Sequence, residues 1–274
     1  MPVHGRLPLT PAIRVTHNCD TGATLEHRGR EGTHANRTMR TERAGHTAAR
    51  LHMASSSEYT VVPDIPDALL KVYLAQKEIA VDTELQGLRL GRDQVCLVQL
   101  SDRKQQVCLV RPEPPHAPPN LKKLLTHPQT IKVFHYALTD VAFLKLSLGI
   151  DVYPFRCTKV MSKLVRTYTD QHSLKDLVRE FVGVELEKIS QTSNWQRRDL
   201  SPAQLKYAAN DVLHLLAVYD HLMQMLKERG KLPTGITAQE MNEHTQQALP
   251  TVVELIMNGY GDKDQGWETS LFNH

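Results

Sequence analysis

Two carboxylates separated by a single residue are the first feature of this chain that could do chemistry. Asp82 and Glu84 follow the apolar residues 79–81, which predict a buried strand. Because successive side chains of a strand point to opposite faces, both carboxylates would project from one face. Close carboxylates repel each other unless a positive charge lies between them, and hard cations such as Mg²⁺ take oxygen ligands. The pair alone is also typical of a solvated strand end, so a metal site requires further acidic residues.

Two further acidic residues lie where they could complete such a site. Asp140 follows another predicted strand and lies near the start of a predicted helix. Asp211 comes four residues after Tyr207 in a long helical segment, so the two side chains share a helix face with His214 and Val218. The opposite face is apolar and is predicted to be core: Leu205, Ala208, Ala209, Val212, Leu215, Leu216, Tyr219 and Leu222. We therefore expect Asp211 to lie off the buried stripe, where a cleft could be.

Four carboxylates are enough to hold two Mg²⁺ or Mn²⁺ ions about 3.5–4 Å apart, an arrangement that supports in-line displacement at a phosphodiester. In this interpretation Asp82 bridges the two ions. Glu84 and Asp211 complete the site beside the attacking water, and Asp140 serves the second ion. Tyr207 could hydrogen-bond to the water and orient it. The alternatives are a helix first-turn acid favoured by the dipole for Asp140 and a tyrosine packed on the sheet for Tyr207.

The composition is that of an ordinary globular protein. The chain has 274 residues, 41% of them apolar, which is enough for one good core plus tails. No stretch approaches the roughly 20 apolar residues of a membrane span, so we expect no membrane partner and a cytoplasmic location. Four cysteines without a C-x-x-C pair predict reduced thiols rather than a zinc site. The net charge of +3 divides into +4 for residues 1–52 and −1 for the rest. The rest therefore lacks the excess of Lys and Arg that is typical of proteins that bind long nucleic acids.

The elements that would position these residues alternate in the manner of an α/β protein. Strands are predicted at residues 79–84, 95–100, 106–110 and 131–134, and helices at 66–77, 120–125, 139–148, 158–165, 173–182 and 201–227. The last of these helices begins with a capping box, Ser201 to Gln204, and a weaker helix at 237–258 is interrupted at Pro250. Residues 1–52 are rich in Arg and lack periodicity. We expect them to be disordered, or an over-extended N-terminus before a start at Met53.

The acidic motifs resemble those of a known nuclease family. They are Val81-Asp82-Thr83-Glu84, His135 to Asp140, and Tyr207-Ala208-Ala209-Asn210-Asp211. In this order they resemble the DEDDy class of 3′→5′ exonucleases, close to ribonuclease D, over about residues 61–226. The resemblance implies an α/β, ribonuclease H-like fold with a mixed sheet of about five strands and helices on both faces. It places the exonuclease domain at 58–230 and a C-terminal extension at 231–274.

A narrower resemblance, to the nanoRNase C group, rests on Cys157-Thr158-Lys159, on residues 162–170 and on the terminal segment 267–274. Members of this group are short DEDDy enzymes that cleave very short oligoribonucleotides, dinucleotides in particular, and are described as ring-shaped octamers. The resemblance implies a two-metal exoribonuclease that converts short single-stranded RNA to nucleoside 5′-monophosphates. It also implies a homo-oligomer, in which the C-terminal extension could take part.

Two alternatives stay open. One is a broader exonuclease that trims tRNA or longer RNA in the manner of ribonuclease D, or acts on DNA. The other is a catalytically inactive binding module of the same fold, which the intact acidic set argues against. Rates on RNAs of two, seven and twenty residues would test the first alternative, and the effect of Asp82→Ala would test the second.

The resemblance also implies substrate contacts beside the acidic residues. The backbone at Thr83 would meet the terminal nucleotide, and Leu85 would wedge against a base, although core packing explains Leu85 equally well. His135 would contact the ribose or a phosphate, the alternative being a histidine satisfied at a strand end. In the second motif the family pattern has Phe and an Arg-Phe pair where this chain has residues 136–138, so base stacking at these positions is not carried over.

A basic and aromatic cluster follows the second motif. Lys163, Arg166, Tyr168 and His172 span a predicted helix end and turn. A phosphate clamp for a short substrate would need such groups, and a solvated helix face with a capping turn would show the same pattern. We take Arg166, Tyr168 and His172 as candidate substrate-binding residues.

Overall fold

The computed structural model describes residues 59–187 and 193–259. Its strands are β1 (Val61–Val62), β2 (Glu78–Leu85), β3 (Val95–Ser101), β4 (Val107–Val110), β5 (Ile131–Phe134) and β6 (Phe155–Cys157). Its helices are α1 (Asp67–Leu74), α2 (Pro119–Leu125), α3 (Ala137–Leu148), α4 (Thr158–Val165), α5 (Leu174–Val182), α6 (Pro202–Leu213), α7 (Leu215–Arg229) and α8 (Ala238–Met257). None of these helices combines the length and apolar character needed to cross a membrane. The predictions for residues 1–52 and 267–274 fall outside the described residues.

The described strands form one mixed sheet in the order β1-β4-β3-β2-β5-β6. Strand β2 lies inside the sheet, antiparallel to β3 and parallel to β5. Strands β1 and β6 add in parallel at the two edges, beside β4 and β5. The predicted mixed sheet of about five strands is confirmed, with six strands observed. Strands β1 and β6 were not predicted, because two or three residues are too few to show alternation.

Helices cover both faces of the sheet, as predicted. On one face, Ile79 and Val81 of β2 join a buried cluster with residues of α1, α2, α3 and α8. On the other face, Ala80 packs in a second cluster with residues of α4, α5 and α7, and with Val212 of α6. Since strand side chains alternate, residues 82 and 84 follow Ala80 onto this second face. The alternation of β2 therefore directs both carboxylates toward α6.

Helix α6 begins at the predicted capping box. Ser201 Oγ accepts a hydrogen bond from the Gln204 backbone N–H at 3.3 Å, and Gln204 Oε1 accepts one from the Ser201 N–H at 3.0 Å. The box satisfies amides that a helix start leaves without partners. Ala208 and Val212 are buried against the sheet. This fixes the helix so that Asp211 reaches the face of β2 that carries the carboxylates.

The single helix predicted at 201–227 is two helices. The chain breaks at His214, which ends α6 and precedes α7. Val218, predicted to share the exposed face of Asp211, is fully buried. Helix α7 packs against α4, α5 and α8, so its buried stripe differs from that of α6. Neither Gly nor Pro marks this break, and tertiary packing rather than local sequence determines it.

The predicted interruption at Pro250 is wrong, because α8 is continuous through this residue. Leu249 and Val253, on either side of the proline, are buried in the same cluster as α3. This packing offsets the hydrogen bond that a proline removes from a helix interior. Residues 238–257 of the predicted C-terminal extension therefore pack on the core of the exonuclease fold.

Candidate active site

Three of the predicted carboxylates form a tight cluster. Asp82 and Glu84 come from β2 and Asp211 from α6, and each offers a carboxylate oxygen that lies within 4.8 Å of the other two. All three side chains are partly exposed. Spacing of this kind suits a cation that binds carboxylate oxygens at about 2–2.6 Å. The fold thus brings together residues that are separated by more than a hundred positions in the chain.

Asp140, the fourth predicted carboxylate, lies next to this cluster on the first turn of α3. It is 7% exposed, and its Oδ1 accepts a hydrogen bond of 2.5 Å from the hydroxyl of Thr83. Its charge raises the pKa of Asp82 and Glu84, which shows that it is near both. Asp140 is therefore close enough to act on the cluster electrostatically, while its own carboxylate is engaged by Thr83.

Burial and mutual repulsion disfavour the ionised form of these acids. Burial raises the pKa of Asp140 and that of Asp211 to about 7. Burial, followed by the charges of Asp211 and Asp140, raises the pKa of Glu84 to about 9. Burial is also the largest cause of the raised pKa of Asp82, followed by the charges of its three acidic neighbours. A bound divalent cation would reverse this balance, because it favours the charged carboxylates.

Tyr207 lies one turn before Asp211 on α6, and its side chain is close enough to favour the ionised form of Asp211. Burial, followed by the charge of Asp211, raises the pKa of the Tyr207 hydroxyl further above its ordinary value. The phenol therefore keeps its proton at any physiological pH. Its ring centroid lies 6.3 Å from that of Trp195, which is itself buried. This contact restricts the side chain to the neighbourhood of the carboxylates.

The donor set fits a divalent metal ion. It consists of carboxylate oxygens, which Mg²⁺ and Mn²⁺ prefer. The elevated pKa values of Asp140, Asp211 and Glu84 show that the protein alone does not neutralise this concentration of acidic groups. The arrangement can therefore hold divalent cations, which in turn can bind a phosphate.

His135 lies at the carboxyl end of β5. Its Nδ1 is 2.9 Å from the hydroxyl oxygen of Thr158, which itself donates to the Phe134 carbonyl at 3.1 Å. Burial, followed by the charge of Lys159, lowers the pKa of His135 to about 3. The ring is therefore neutral at physiological pH. A neutral imidazole can hydrogen-bond to a ribose hydroxyl, but it cannot neutralise a phosphate.

The structure places Arg166 in the interior, contrary to its predicted role as a substrate-binding residue. It is 1% exposed, and its guanidinium donates hydrogen bonds to Glu180 and to the Gln171 carbonyl. It also donates to Ser162 Oγ at 3.2 Å. Contact with a phosphate would require breaking these bonds. The residue instead ties α4 to α5 and holds the turn between them.

Tyr168 and His172, the other two candidate substrate-binding residues of this cluster, lie on the turn between α4 and α5. His172 Nδ1 is 2.8 Å from Ser162 Oγ, so this nitrogen is engaged within the protein. Tyr168 is 69% exposed. Tyr168 is therefore free to meet a ligand, whereas His172 can do so only through the rest of its ring.

Sequence reasoning missed a pair beside His135. Tyr136 has a left-handed backbone conformation with φ 68° and is 49% exposed. The Lys159 ammonium lies 4.2 Å from the centroid of its ring, within cation–π distance. The comparison of the second motif with the family pattern predicted no stacking residue at position 136. Lys159 lies 23 positions further along the chain, so the sequence did not connect the two residues. An aromatic ring with a cation above it provides a surface for a nucleobase and a phosphate.

Leu85 and Thr83 lie at the end of β2 next to the carboxylates. The register between β2 and β3 shifts between Glu84 and Leu85, an irregularity that redirects side chains. Leu85 is partly exposed and packs in part against the first core cluster. Thr83 is nearly buried and uses its hydroxyl for Asp140. Both side chains are thus engaged within the fold, Leu85 in part by the core and Thr83 by Asp140.

The fold and the order of these motifs are those of a 3′-5′ exonuclease domain. The chain belongs to the 3′-5′ exonuclease family DNA_pol_A_exo1, whose model matches residues 62–227. It is 34% identical over 167 residues to a Ribonuclease D of Granulibacter bethesdensis, covering 60% of this chain and 42% of that one. It is 32% identical over 176 residues to the Exosome complex exonuclease RRP6 of Saccharomyces cerevisiae, covering 64% and 24%. The chain spans less than half the length of these curated relatives.

Solved structures show which members of this family the chain is similar to in three dimensions. The chain is similar to Brucella melitensis NrnC bound to pGG, with a TM-score of 0.68 and 34% identity, covering 79% of this chain and 99% of that one. The same protein with bound Mg²⁺ gives a TM-score of 0.65 and 34% identity, covering 79% and 96%. These findings confirm the predicted ribonuclease D-like family near NrnC and the predicted fold. A Mg²⁺-bound neighbour and the acidic cluster together support divalent cations as cofactors.

Proposed function

We propose that this chain is a 3′→5′ exoribonuclease that converts very short RNA, including dinucleotides, to nucleoside 5′-monophosphates with two Mg²⁺ or Mn²⁺ ions. The observation that carries the proposal is the cluster of Asp82, Glu84 and Asp211, whose carboxylate oxygens lie within 4.8 Å of one another. The preference for short RNA is supported by the similarity to NrnC bound to pGG, which extends over almost the whole of that chain. The near-neutral body of the chain is consistent with it.

The four carboxylates would divide the cations between two sites. Asp82, Glu84 and Asp211 would hold one, and Asp82 together with Asp140 a second. Bound ions of this kind supply Lewis-acid stabilisation of charge at the phosphate and lower the pKa of water. The Thr83 hydroxyl, hydrogen-bonded to Asp140, would hold that carboxylate in orientation. Fixed carboxylates of this kind need little rearrangement when the substrate binds.

Tyr207 would orient the attacking water. Its hydroxyl stays protonated because burial and the adjacent carboxylates raise its pKa. It therefore offers both a hydrogen-bond donor and acceptor lone pairs. It lies one turn before Asp211 on the same face of α6, near the group that would hold the first cation. Tyr207 thus has the position and the protonation state that the role requires.

The surface next to the cluster would hold the substrate. The Tyr136 ring would stack on a base, and Lys159 would neutralise a phosphate. The neutral His135 would hydrogen-bond to a ribose hydroxyl, and the backbone at Thr83 and the side chain of Leu85 would meet the terminal nucleotide. Tyr168 and His172 would close the pocket from the α4–α5 turn. A small set of contacts of this kind suits two nucleotides better than a long strand.

A second candidate function is ribonuclease D-like processing of tRNA, longer RNA or DNA. It is favoured by the sequence similarity to Ribonuclease D and to RRP6. Both relatives are much longer than the part this chain matches. The two functions share the same acidic residues and differ in how substrate length affects the rate.

Rates on RNAs of two, seven and twenty nucleotides separate these candidates. The short-RNA proposal predicts that kcat/KM is highest for the dinucleotide and falls steeply with length. Equal or rising values with length would favour ribonuclease D-like processing. A DNA dinucleotide of the same sequence serves as the matched control for sugar preference. Light scattering on the full chain would test the proposed homo-oligomer, and a monomeric mass would contradict it.

A further inference from the structure

Gln99 is a buried polar side chain at the acidic cluster whose amide is unpaired. It is 0% exposed. Within the chain that the structure describes, neither Oε1 nor Nε2 has a hydrogen-bond partner. Buried amides are nearly always hydrogen-bonded, because an unpaired one has lost its bonds to water without replacement. The Gln99 amide therefore has unused donor and acceptor capacity inside the protein.

The sheet places Gln99 beside Asp82. The two residues are directly opposite each other in the antiparallel ladder of β2 and β3. Side chains of directly opposed residues lie on the same face, with Cβ atoms about 4.5–5.5 Å apart. A glutamine side chain extends far enough to bridge such a gap to a neighbouring carboxylate. Gln99 is therefore on the face of the sheet that carries the predicted metal ligands.

The residues that face Gln99 from β4 and α6 are apolar, and Ser101, two positions along β3, uses its hydroxyl for the Asp102 carbonyl. Leu109 lies directly opposite it on β4. Leu97, Leu109 and Ala208 form a buried cluster where α6 packs across β3. These side chains offer an amide neither donors nor acceptors. The Asp82 carboxylate is the polar group next to Gln99 across the strands.

We propose that Gln99 is a positioning residue of the metal site, whose Nε2–H donates a hydrogen bond to the Asp82 carboxylate when the site holds cations. An ionised carboxylate has about four lone-pair sites, so Asp82 can accept from an amide and still ligate. Such a bond fixes the orientation of the ligand, and loss of such a partner typically weakens metal binding by about 10–100-fold. The inference rests on the proposed function, because it requires that Asp82 binds cations.

Calorimetric titration of the full chain with Mn²⁺ tests this role in Gln99→Met, which keeps the length and volume of the side chain. We expect the Kd for Mn²⁺ to rise by about tenfold or more. The thermal midpoint of the ion-free variant should not fall, because no hydrogen bond of the ion-free protein is removed. At saturating Mn²⁺ we expect kcat for an RNA dinucleotide to fall while KM changes little. A role in packing alone would leave the Mn²⁺ affinity unchanged.

Ser101→Ala is the matched control, since Ser101 is buried on the same strand and face as Gln99 but lies opposite Ala80. Its Mn²⁺ affinity should equal that of the wild type. A folded Gln99→Met variant with a Kd within twofold of the wild type would overturn the inference alone. Wild-type protein that binds no Mn²⁺ would overturn the proposed function as well. If neither Gln99→Met nor Gln99→Leu folds, the inference about Gln99 is also overturned, because the amide would then be needed for folding in the absence of cations.

Discussion

The hydroxyl of Thr83 donates a 2.5 Å hydrogen bond to Oδ1 of Asp140, joining the strand that carries two acidic residues to the helix that carries a third. The bond favours the ionised form of Asp140. Asp140 is almost buried, so water has little access to its carboxylate. Thr83 is thereby assigned a side-chain role, in addition to the backbone contact that the resemblance implied.

Thr83→Val should lower turnover of an RNA dinucleotide by about tenfold or more, because loss of a hydrogen bond to a metal-ligating carboxylate typically costs about 10–100-fold. Valine keeps the shape of threonine and removes only the hydroxyl. Thr83→Ser keeps the hydroxyl and should retain most of the activity. Steady-state kinetics at saturating Mn²⁺ measures both variants. Wild-type turnover in Thr83→Val would contradict a role for the hydroxyl.

The ion-free protein should lose stability as pH rises from about 4 to about 9. Folded-state pKa values of about 7 for Asp140 and Asp211 and about 9 for Glu84 exceed the ordinary values near 4. In this window the folded state therefore binds more protons than the unfolded chain, and the free energy of unfolding falls with pH. Saturating Mn²⁺ should remove this slope, because the carboxylates are then ionised in the folded state.

Thermal midpoints at pH 5 and pH 8, with EDTA and with Mn²⁺, measure this effect. The increase in thermal midpoint caused by Mn²⁺ should be several degrees larger at pH 8 than at pH 5. Glu254→Gln, which changes a surface acid of α8 that pairs with Lys145, should show the wild-type pattern. If Mn²⁺ increased the thermal midpoint equally at both pH values, the assignment of the raised pKa values to the cluster would be contradicted.

Tyr207→Phe should lower kcat by about a hundredfold, the scale on which a positioned proton-handling group contributes to a reaction. The phenyl ring keeps the contact with Trp195, so the fold should not change. The Kd for Mn²⁺ measured by calorimetry should stay within about twofold of the wild type, because the carboxylates remain. Lost Mn²⁺ binding in this variant would contradict a role limited to orienting water.

Tyr136→Ala should raise KM for an RNA dinucleotide by about tenfold or more, since stacking of one base on an aromatic ring is worth about 1–3 kcal/mol. The value of kcat should change less than KM. Tyr153→Ala removes another exposed tyrosine, 64% accessible, that is not beside the cluster, and should leave both constants unchanged. An unchanged KM in Tyr136→Ala would exclude this ring from the substrate surface.

The local patterns predicted much of this structure. Alternation along β2 gave the common face of Asp82 and Glu84, and the four-residue spacing on α6 gave that of Tyr207 and Asp211. What the sequence could not predict depends on contacts between distant segments. The break at His214, the continuity of α8 through Pro250 and the burial of Arg166 all follow from tertiary packing. The hydrogen bond from Thr83 to Asp140 and the cation–π contact between Lys159 and Tyr136 likewise join residues that are far apart in the sequence.

The most direct test of the central claim is hydrolysis of a 5′-labelled RNA dinucleotide in Mn²⁺ by the wild type and by Asp82→Ala. Several kcal/mol of charge stabilisation by bound cations corresponds to a hundredfold or more in rate, at about 1.4 kcal/mol per factor of ten. The wild type should release labelled nucleoside 5′-monophosphate, and Asp82→Ala should be slower by at least that factor. Glu254→Gln serves as the matched acid control. Hydrolysis at the wild-type rate in Asp82→Ala would mean that this cluster is not the active site.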